Sequence, residues 1–342
     1  MPHKLSVVVP GLCGPLPESK NLEAATRSLV ALLQQARREK TAGGDIYTQL
    51  FELFGLKAEQ PFPVAAVSML GHGLTPGKDC WAHADPVNLQ ADMDRAILSD
   101  SQVLHIRRDE ADKLVKQIND HFAVDGLTIT IADQNNWFIK LDDCSLQTTP
   151  LNKAVARNIN HLLPTGEAAG RWKPVLNEIQ MLLHMSDVNQ QRESRGLLPV
   201  NSLWLWGEGV LPGQGDTSIT HVYAEDALTR GAAKIDQIKF SPLTDPIALA
   251  YAMEHDGHSL VCLQQLDGPC NYGDIAAWCD ELADVVEDWL EPLIDTAKSL
   301  DAEVNIYPCN GLRYHFDNKY KFSISDLMFW KKGHLQDYVE TQ

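Results

Sequence analysis

Positive charge is scarce in this sequence. Its 342 residues include 29 lysines and arginines against 46 aspartates and glutamates, which gives a formal net charge of -17. The average surface of such a chain repels phosphate backbones and anionic lipid headgroups. We therefore expect neither nucleic acid nor a membrane among its partners.

Long apolar runs and paired cysteine motifs are also missing. No stretch reaches the about 20 consecutive apolar residues that span a bilayer. The opening sequence MPHKLSVVVPG continues into a β-rich segment without a signal-peptide cleavage site. These features predict a cytoplasmic protein.

The seven cysteines lack CxxC spacing, which argues against a disulfide framework and a structural zinc site and predicts reduced thiols.

The remaining pattern is typical of an α/β protein. Lys4–Val9 is a short, β-branched apolar run that ends at Pro10-Gly11, and it predicts a buried strand. Leu22–Arg38 has the apolar spacing of a helix, and Pro63–Leu70 is a second apolar run that predicts a strand. This order of elements predicts a parallel sheet covered by helices.

The segment 83–148 has a different texture and predicts a small α+β cap inserted into the main fold. Two helical patterns are followed there by two strand patterns, over Val87–Leu98, Asp109–Phe122, Leu127–Ala132 and Trp137–Leu141. Sheet-forming order then returns, with a strand at Ser202–Trp206 and a helix at Pro246–His255. The expected division is core 1–82 and 149–342, with the cap at 83–148.

The stretch from Leu162 to Gly209 is the most informative, and it contains LLPTGEAAGRWKPVLNEIQMLLHMSDVNQQRESRGLLPVNSLWLWGEG. It resembles the cofactor-independent phosphoglycerate mutases of archaeal type, in which a helix ends in Asn-x-x-Arg and Gly-x-x-Pro-x-Asn leads into a Trp-Leu-Trp-Gly strand. The matching residues occur here in the same order: Asn189, Arg192, Gly196, Pro199, Asn201, Trp204, Trp206, Gly207 and Gly209. A closer resemblance is to a bacterial group described as RpfE-type regulatory proteins.

The resemblance implies an alkaline-phosphatase-like α/β core, with a mostly parallel central sheet sandwiched by helices, plus a small α+β cap insertion. It also implies a serine nucleophile and two divalent metals held by carboxylates and histidines at strand ends.

This sequence departs from the implied site at several points. Pro10 takes the place of the first aspartate ligand, and Gly44 takes the place of the serine in the turn Gly43-Gly44-Asp45. Asn271 replaces the histidine of an Asp-x-x-x-His motif that begins at Asp267. The segment Pro308-Cys309-Asn310-Gly311 replaces a later Asp-His pair, and His83 replaces an arginine that grips phosphate.

No catalytic residue and no metal ligand is predicted. Six side chains remain as candidate ligand-binding residues: Asp45, His83, Asn201, Asp267, Asn271 and Asn310. Two other clusters are open alternatives. Loop histidines could form an unrelated metal site with Asp267, although turn or surface roles are commoner for histidine. Cys13, Cys270 and Cys309 follow three strands and could gather at one sheet edge as a redox or soft-metal site, although free cysteine also packs as a small apolar residue.

We therefore expect a catalytically degenerate phosphoglycerate mutase-like protein that acts by binding or regulation. It would need no cofactor, and its partner would be a small anionic ligand or a protein. The alternative is an active phosphoglycerate mutase or phosphatase with relocated ligands, which would use manganese or zinc. A third interpretation is a small-molecule enzyme that uses Asp267, Asn271 and Asn310.

Overall fold

A computed structural model describes residues 3–14, 22, 24–58, 61–92, 95–243, 257–316 and 335 of the chain. The helix predicted over Pro246–His255 lies outside these residues. Among the described helices, none has both the length and the apolar character that a membrane crossing requires.

Fourteen strands are described, and they are numbered in chain order. They are β1 Lys4–Val8, β2 Arg37–Lys40, β3 Cys80–Asp92, β4 Arg95–Ser99, β5 Ile129–Ile131, β6 Trp137–Leu141, β7 Leu146–Gln147, β8 Thr165–Gly166, β9 Ser202–Gly209, β10 Ile219–Tyr223, β11 Lys239–Ser241, β12 His258–Cys262, β13 Glu303–Tyr307 and β14 Leu312–Phe316.

The described α-helices are numbered in the same way. They are α1 Arg27–Leu33, α2 Ile46–Leu53, α3 Val64–Gly71, α4 Ser101–Leu104, α5 Arg108–His121, α6 Leu151–Ala154, α7 Ala169–His184, α8 Asp187–Ser194, α9 Ala227–Ile235, α10 Asp267–Tyr272, α11 Ile275–Asp284 and α12 Glu291–Ser299. A π-helical stretch, Val285–Leu290, joins α11 to α12.

The chain divides into two compact units. The first contains Met1–Leu56 and Gln214–Gln342, and the second is Lys57–Gly213. Each unit has its own sheet and its own buried apolar cluster.

The sheet of the first unit is mostly parallel. Its seven strands have the order β11-β10-β12-β1-β13-β14-β2. The strands from β11 to β13 are parallel, whereas β14 is antiparallel to both of its neighbours. Val8 of β1 lies level with Cys262 of β12 and with Tyr307 of β13. The carboxyl ends of these three strands therefore meet at one edge.

Apolar side chains bury both faces of β1. Leu5 and Val7 belong to an apolar cluster that includes residues of α1, α11 and α12. Val8 points to the opposite face, and its side chain is also fully buried. Burying an aliphatic side chain of this size contributes about 1.5–3 kcal/mol. The strand predicted at Lys4–Val9 is confirmed, because its continuous apolar run matches a strand that is covered on both faces.

The second unit contains an antiparallel sheet of five strands built around the long strand β3. The first part of β3 pairs with β6 on one side and with β9 on the other, and its last part pairs with β4. Helices α5 and α7 contribute to the apolar cluster on one face of this sheet. Helix α3 packs on the other face, where Ala65 and Met69 contact Phe138.

Three predicted elements are wrong in type or place. Pro63–Leu70 was expected to be a strand, but Val64–Gly71 is helix α3. Almost all of its residues are buried, so the sequence lacks the polar face from which a helical period of 3.6 residues is recognised. Val87–Leu98 was expected to be a helix, but it belongs to β3 and β4, whose register runs from Asn88↔Ser99 to Asp92↔Arg95. The strand at Ser202–Trp206 exists as part of β9, but it lies in the antiparallel sheet.

The second unit is also larger than the cap predicted at 83–148. It extends from Lys57 to Gly213 because β9 pairs with β3 across six residue pairs. Helices α3 and α7 pack against the same strands. These long-range pairings join the flanking segments to the predicted cap.

Two of the seven cysteines are joined in a disulfide, so the prediction of reduced thiols is wrong for this pair. Cys80 and Cys144 have Cα atoms 5.9 Å apart and are separated by 64 residues. Pairing of Cys80 with Leu141 brings the segment after β6 to Cys80, a contact that no local sequence motif reveals. The other five cysteines are not disulfide-bonded: Cys13, Cys262, Cys270, Cys279 and Cys309.

Candidate functional site

The carboxyl edge of β12, β1 and β13 is the candidate site in the first unit. Ligands of open α/β sheets bind beyond the carboxyl ends of the strands. Three segments leave the sheet there: 9–14 after β1, 263–267 after β12 and 308–311 after β13. Four of the six predicted residues, Asp45, Asp267, Asn271 and Asn310, belong to this unit.

The turn after β1 is packed closely against the segment after β12. Gly11 has a φ of +78°, and a Cβ atom at this position would lie 2.8 Å from the Leu266 carbonyl oxygen. The indole Nε1 of Trp278 donates to the Gly11 carbonyl oxygen at 2.8 Å. Only glycine fits this turn, and the neighbouring Pro10 brings no side-chain donor atom to the edge.

Asp267 and Asn271 lie on one short helix. Asp267 is the first residue of α10, and Asn271 follows one turn later on the same helix, so the two side chains are neighbours on its surface. Both residues are half-buried. The structure therefore keeps this pair together, as the sequence motif predicted.

Asn310 has one partnered and one orphaned side-chain atom. Its Oδ1 accepts a hydrogen bond from the Leu312 backbone N–H at 3.2 Å. Its Nδ2 is buried and has no hydrogen-bond partner among the described residues. The preceding residue, Cys309, has a φ of +62°, an uncommon backbone conformation for a residue other than glycine. A buried donor without a partner is a plausible contact for a ligand oxygen.

Asp45 begins helix α2 and is used as its cap. Its Oδ1 accepts hydrogen bonds from the Thr48 backbone N–H at 2.9 Å and from the Thr48 hydroxyl at 3.1 Å. A Cβ atom added at the preceding Gly44 would meet nothing within 4 Å. The turn therefore has room for the serine that the resemblance implies, but this chain has no side chain there.

Buried thiols gather at the same edge. Burial raises the pKa of the Cys13 thiol to about 12, and Cys270 adds to the increase. Burial also raises the pKa of Cys309 well above its usual value, with smaller contributions from Cys262, Asp267, Asp45 and Cys13. These charge interactions place the predicted cysteines near one another. A raised pKa favours the protonated thiol, which is a poor nucleophile.

Two residues of this edge were missed by sequence reasoning. Cys262 is the last residue of β12, and burial followed by the charge of Asp226 raises its pKa. Asp226 caps α9 by accepting from the Thr229 backbone N–H at 2.7 Å, while its Oδ2 is buried without a partner among the described residues. Their positions in the sequence could have revealed them, because each residue lies at or just after the end of a strand.

No group of three or more His, Cys, Asp or Glu side chains is placed to hold a metal ion within the described ranges. The predicted alternative of a histidine site with Asp267 therefore gains no support from those residues. His258 and His315 are engaged elsewhere, with Ser6 and Ser218 and with Asn305 respectively.

His83 lies in the second unit, in a buried polar cluster on β3. Its ring stacks on Trp206 with centroids 4.3 Å apart and lies 4.6 Å from the Phe138 centroid. Its Nδ1 lies 3.3 Å from Oδ1 of Asp85, whose Oδ2 accepts from the Trp206 Nε1 at 2.7 Å. The His83 Nε2 is buried with no partner among the described residues. The carboxylate and the stacked ring orient the imidazole, and Nε2 remains available to a ligand.

Asn201 also lies in the second unit, and its amide is used by the fold. Its Oδ1 accepts from the Leu89 backbone N–H at 2.7 Å, and its Nδ2 donates to the Leu89 carbonyl oxygen at 2.9 Å. Arg192 is similarly occupied, because it donates to Glu110 at 2.6 Å and to two backbone carbonyl oxygens. These matching motif residues therefore maintain the structure of the second unit.

The chain is similar in sequence to several curated enzymes. A probable 2,3-bisphosphoglycerate-independent phosphoglycerate mutase from Geobacter sulfurreducens is 26% identical over 153 residues, which cover 44% of this chain and 38% of that protein. The 2,3-bisphosphoglycerate-independent phosphoglycerate mutase 2 from Methanothermobacter thermautotrophicus is 29% identical over 111 residues, which cover 32% of this chain and 28% of that protein. This chain is phosphoglycerate mutase-like. The matched segments span less than two fifths of these relatives, and no protein-family model matches the chain.

A solved structure shows the same fold over nearly the full length. PH0037 protein from Pyrococcus horikoshii aligns with a TM-score of 0.54 and 15% identity, covering 96% of this chain and 92% of that one. The chain thus has the predicted α/β class, with a mostly parallel central sheet in its first unit. At this identity the comparison is informative about fold alone.

Proposed function

We propose that this phosphoglycerate mutase-like chain is catalytically degenerate and acts by binding, in a regulatory role, rather than by transferring phosphoryl groups. The proposal rests on the chemistry of the edge beyond β1, β12 and β13. Pro10 offers no ligand atom there, and Asn271 and Asn310 offer amides. Two-metal phosphoryl transfer needs anionic or imidazole ligands in these places. The residues present do not fit such a metal pair, and we derive no step through one.

The sequence predicts either a protein or a small anionic ligand as the partner. The acidic side chains at the carboxyl edge of β12, β1 and β13 favour the protein. Asp45, Asp226 and Asp267 all lie close enough to influence the thiols there. The carboxylates of Asp45 and Asp267 oppose a further negative charge on a ligand, whereas burial raises the pKa of Asp226 and favours its neutral form.

The finer assignments belong to the same proposal. The order of motif residues from Asn189 to Gly209 supports the archaeal type, and the Leu162–Gly166 and Leu203–Gly207 stretches support the RpfE-type bacterial group. The thiols of the first unit agree with a cytoplasmic location, whereas the Cys80–Cys144 disulfide is typical of oxidising compartments. The competing function is an active, manganese- or zinc-dependent phosphoglycerate mutase or phosphatase with relocated ligands.

Calorimetric titration of the full chain with Mn²⁺ and Zn²⁺, beside an assay with 3-phosphoglycerate, tests the proposal. We expect dissociation constants weaker than about 1 mM and no turnover. Tight, stoichiometric metal binding together with turnover would establish the competing function instead. Purification without a chelator ensures that a resident metal is retained and detected.

The variant Gly44→Ser tests whether the lost hydroxyl alone explains the lost chemistry. A side chain fits at this position, but a hydroxyl without metals is a weak nucleophile at neutral pH. We expect no phosphatase activity and no phosphoserine, as in the matched control Gly44→Ala. Combining Gly44→Ser with Pro10→Asp and Asn271→His should raise metal affinity above that of the wild type. Activity of the single variant would contradict the proposal, because it would show that a working metal set is already present.

A further inference from the structure

The second unit contains a pocket of about 340 Å³ next to the disulfide. Cys144 forms part of its wall, together with Glu208, Lys57, Val210 and three prolines. A volume of this size is at the lower end of the range for small-molecule sites. Its wall is polar and apolar in nearly equal parts, so it offers both charged groups and packing surface to a small molecule.

The two sulfurs of the disulfide have different surroundings. Cys144 is exposed, whereas Cys80 is only 7% exposed at the start of β3 and is paired there with Leu141. Thiol–disulfide exchange proceeds by direct attack of a thiolate on one sulfur, so access decides which sulfur reacts. An incoming thiolate therefore reaches Cys144, and Cys80 is the leaving group.

The charges around Cys144 are mainly negative. Hydrogen bonds from the Ser145 hydroxyl and backbone N–H lower the pKa of the neighbouring Asp143 carboxyl, which is ionised at neutral pH. Glu208 is 2% exposed and accepts hydrogen bonds from both the backbone N–H and the hydroxyl of Thr148. Lys57 is the positive group among the residues that line the pocket. Negative groups at close range attract a cationic reagent and repel an anionic one.

We propose that Cys144 is a thiol-exchange site that takes a small cationic aminothiol. The aminothiol loses its proton to solvent, and its thiolate attacks Cys144. The new S–S bond forms as the Cys144–Cys80 bond breaks, and Cys80 leaves with the bonding electron pair and takes up a proton. The products are a mixed disulfide on Cys144 and a free Cys80 thiol, with no other oxidant or reductant. This inference is independent of the proposed function.

The full chain is incubated with cysteamine or with 3-mercaptopropionate, which are similar in size and opposite in charge, and is then quenched with acid. Intact mass and peptide mapping give the adduct and its position, and rates are compared per thiolate. Reduced thiols add to disulfides and not to free thiols, so the five free cysteines do not contribute. We expect the adduct on Cys144, formed about three to ten times faster with cysteamine at low salt.

Two variants make the result decisive. Asp143→Asn should reduce the preference for cysteamine. Salt at 0.5 M should do the same, because it shortens the Debye length to about 4 Å and screens the charges around Cys144. Cys80→Ser leaves a single exposed Cys144 thiol, which should react faster with cystamine than the half-exposed Cys279 thiol of the same chain does. If Cys80→Ser fails to fold, the position of the adduct on the wild-type chain and the ratio of its rates with the two reagents test the proposal without the variant. An adduct on Cys80, complete reduction without an adduct, or equal rates for both reagents would overturn the proposal.

Discussion

His258 shows how burial determines the charge state of one residue. The ring is 6% exposed, with Nε2 2.9 Å from the Ser6 hydroxyl oxygen and Nδ1 2.8 Å from the Ser218 hydroxyl oxygen. Burial lowers the pKa of His258 to about 4, and the charge of Lys4 contributes further. The neutral ring, which can donate from one nitrogen and accept at the other, matches two hydroxyl partners.

Stability should therefore decrease as the pH falls from about 6.5 towards 4. In this interval the unfolded chain binds a proton at His258 and the folded chain does not, so protonation favours unfolding. Urea unfolding at pH 7 and pH 5 measures the difference in the free energy of unfolding. His258→Gln should reduce the pH dependence, and His161→Gln, at an exposed histidine, is the control for the change of residue type. An unchanged pH dependence in His258→Gln would assign the effect to other groups.

Strand β9 is the best example of an element that is buried on both faces. Leu203 and Leu205 are each 2% exposed and join the cluster with α5 and α7, while Trp204 and Trp206 fill the other face. Trp204 and Trp206 also donate through Nε1, to the Thr149 carbonyl oxygen and to Asp85. The strand thus connects two packed layers of the second unit.

Leu205→Ala should lower the free energy of unfolding by about 2–5 kcal/mol, because it removes buried methyl groups and leaves a cavity. Chemical denaturation of the variant and the wild type measures the loss. The control Leu197→Ala changes a leucine that is 38% exposed, and it should cost less than about 1 kcal/mol. A loss below 2 kcal/mol for Leu205→Ala would mean that the strand is peripheral to the core.

Sequence patterns predicted an element correctly where turn residues bound a short, β-branched apolar run. β1 was recognised in this way, because its run ends at Pro10-Gly11. Helix α3 was mistaken for a strand because apolar residues surround it on nearly every side. The strands β3 and β4 were mistaken for a helix because the antiparallel pairing of Asn88–Asp92 with Arg95–Ser99 overrides the local apolar spacing.

The candidate site was predictable to the extent that it follows strand ends. Asp267, Asn271 and Asn310 were found from motif positions, and the structure places them on segments that leave parallel strands. Cys262 was missed, because its burial and its proximity to Asp226 depend on the order of strands in the sheet. The disulfide of Cys80 was missed for a similar reason, since its partner Cys144 lies in the bend between β6 and β7, and the pairing of β3 with β6 brings that bend to Cys80.

The whole molecule consists of one unit whose chain is interrupted by another. The second unit, Lys57–Gly213, has a complete sheet, a large apolar cluster and a disulfide within its own bounds. We expect residues 57–213, produced alone, to fold and unfold cooperatively, because a domain with its own core is stable by itself. Circular dichroism and thermal unfolding test this. A fragment without a cooperative transition would show that the unit needs the rest of the chain.

The position of β1 in its sheet has a consequence for synthesis on the ribosome. Lys4 is paired with His258 on one side and Glu303 on the other, so both partners are made long after β1. At about 5–20 residues per second, the wait is roughly 10–60 s. During this time the whole of Lys57–Gly213 has emerged, while the apolar run Leu5–Val9 has no strand beside it. The apolar run Leu5–Val9 is therefore synthesised long before the strands that pair with it in the folded protein. Until then it is an exposed apolar segment to which chaperones can bind.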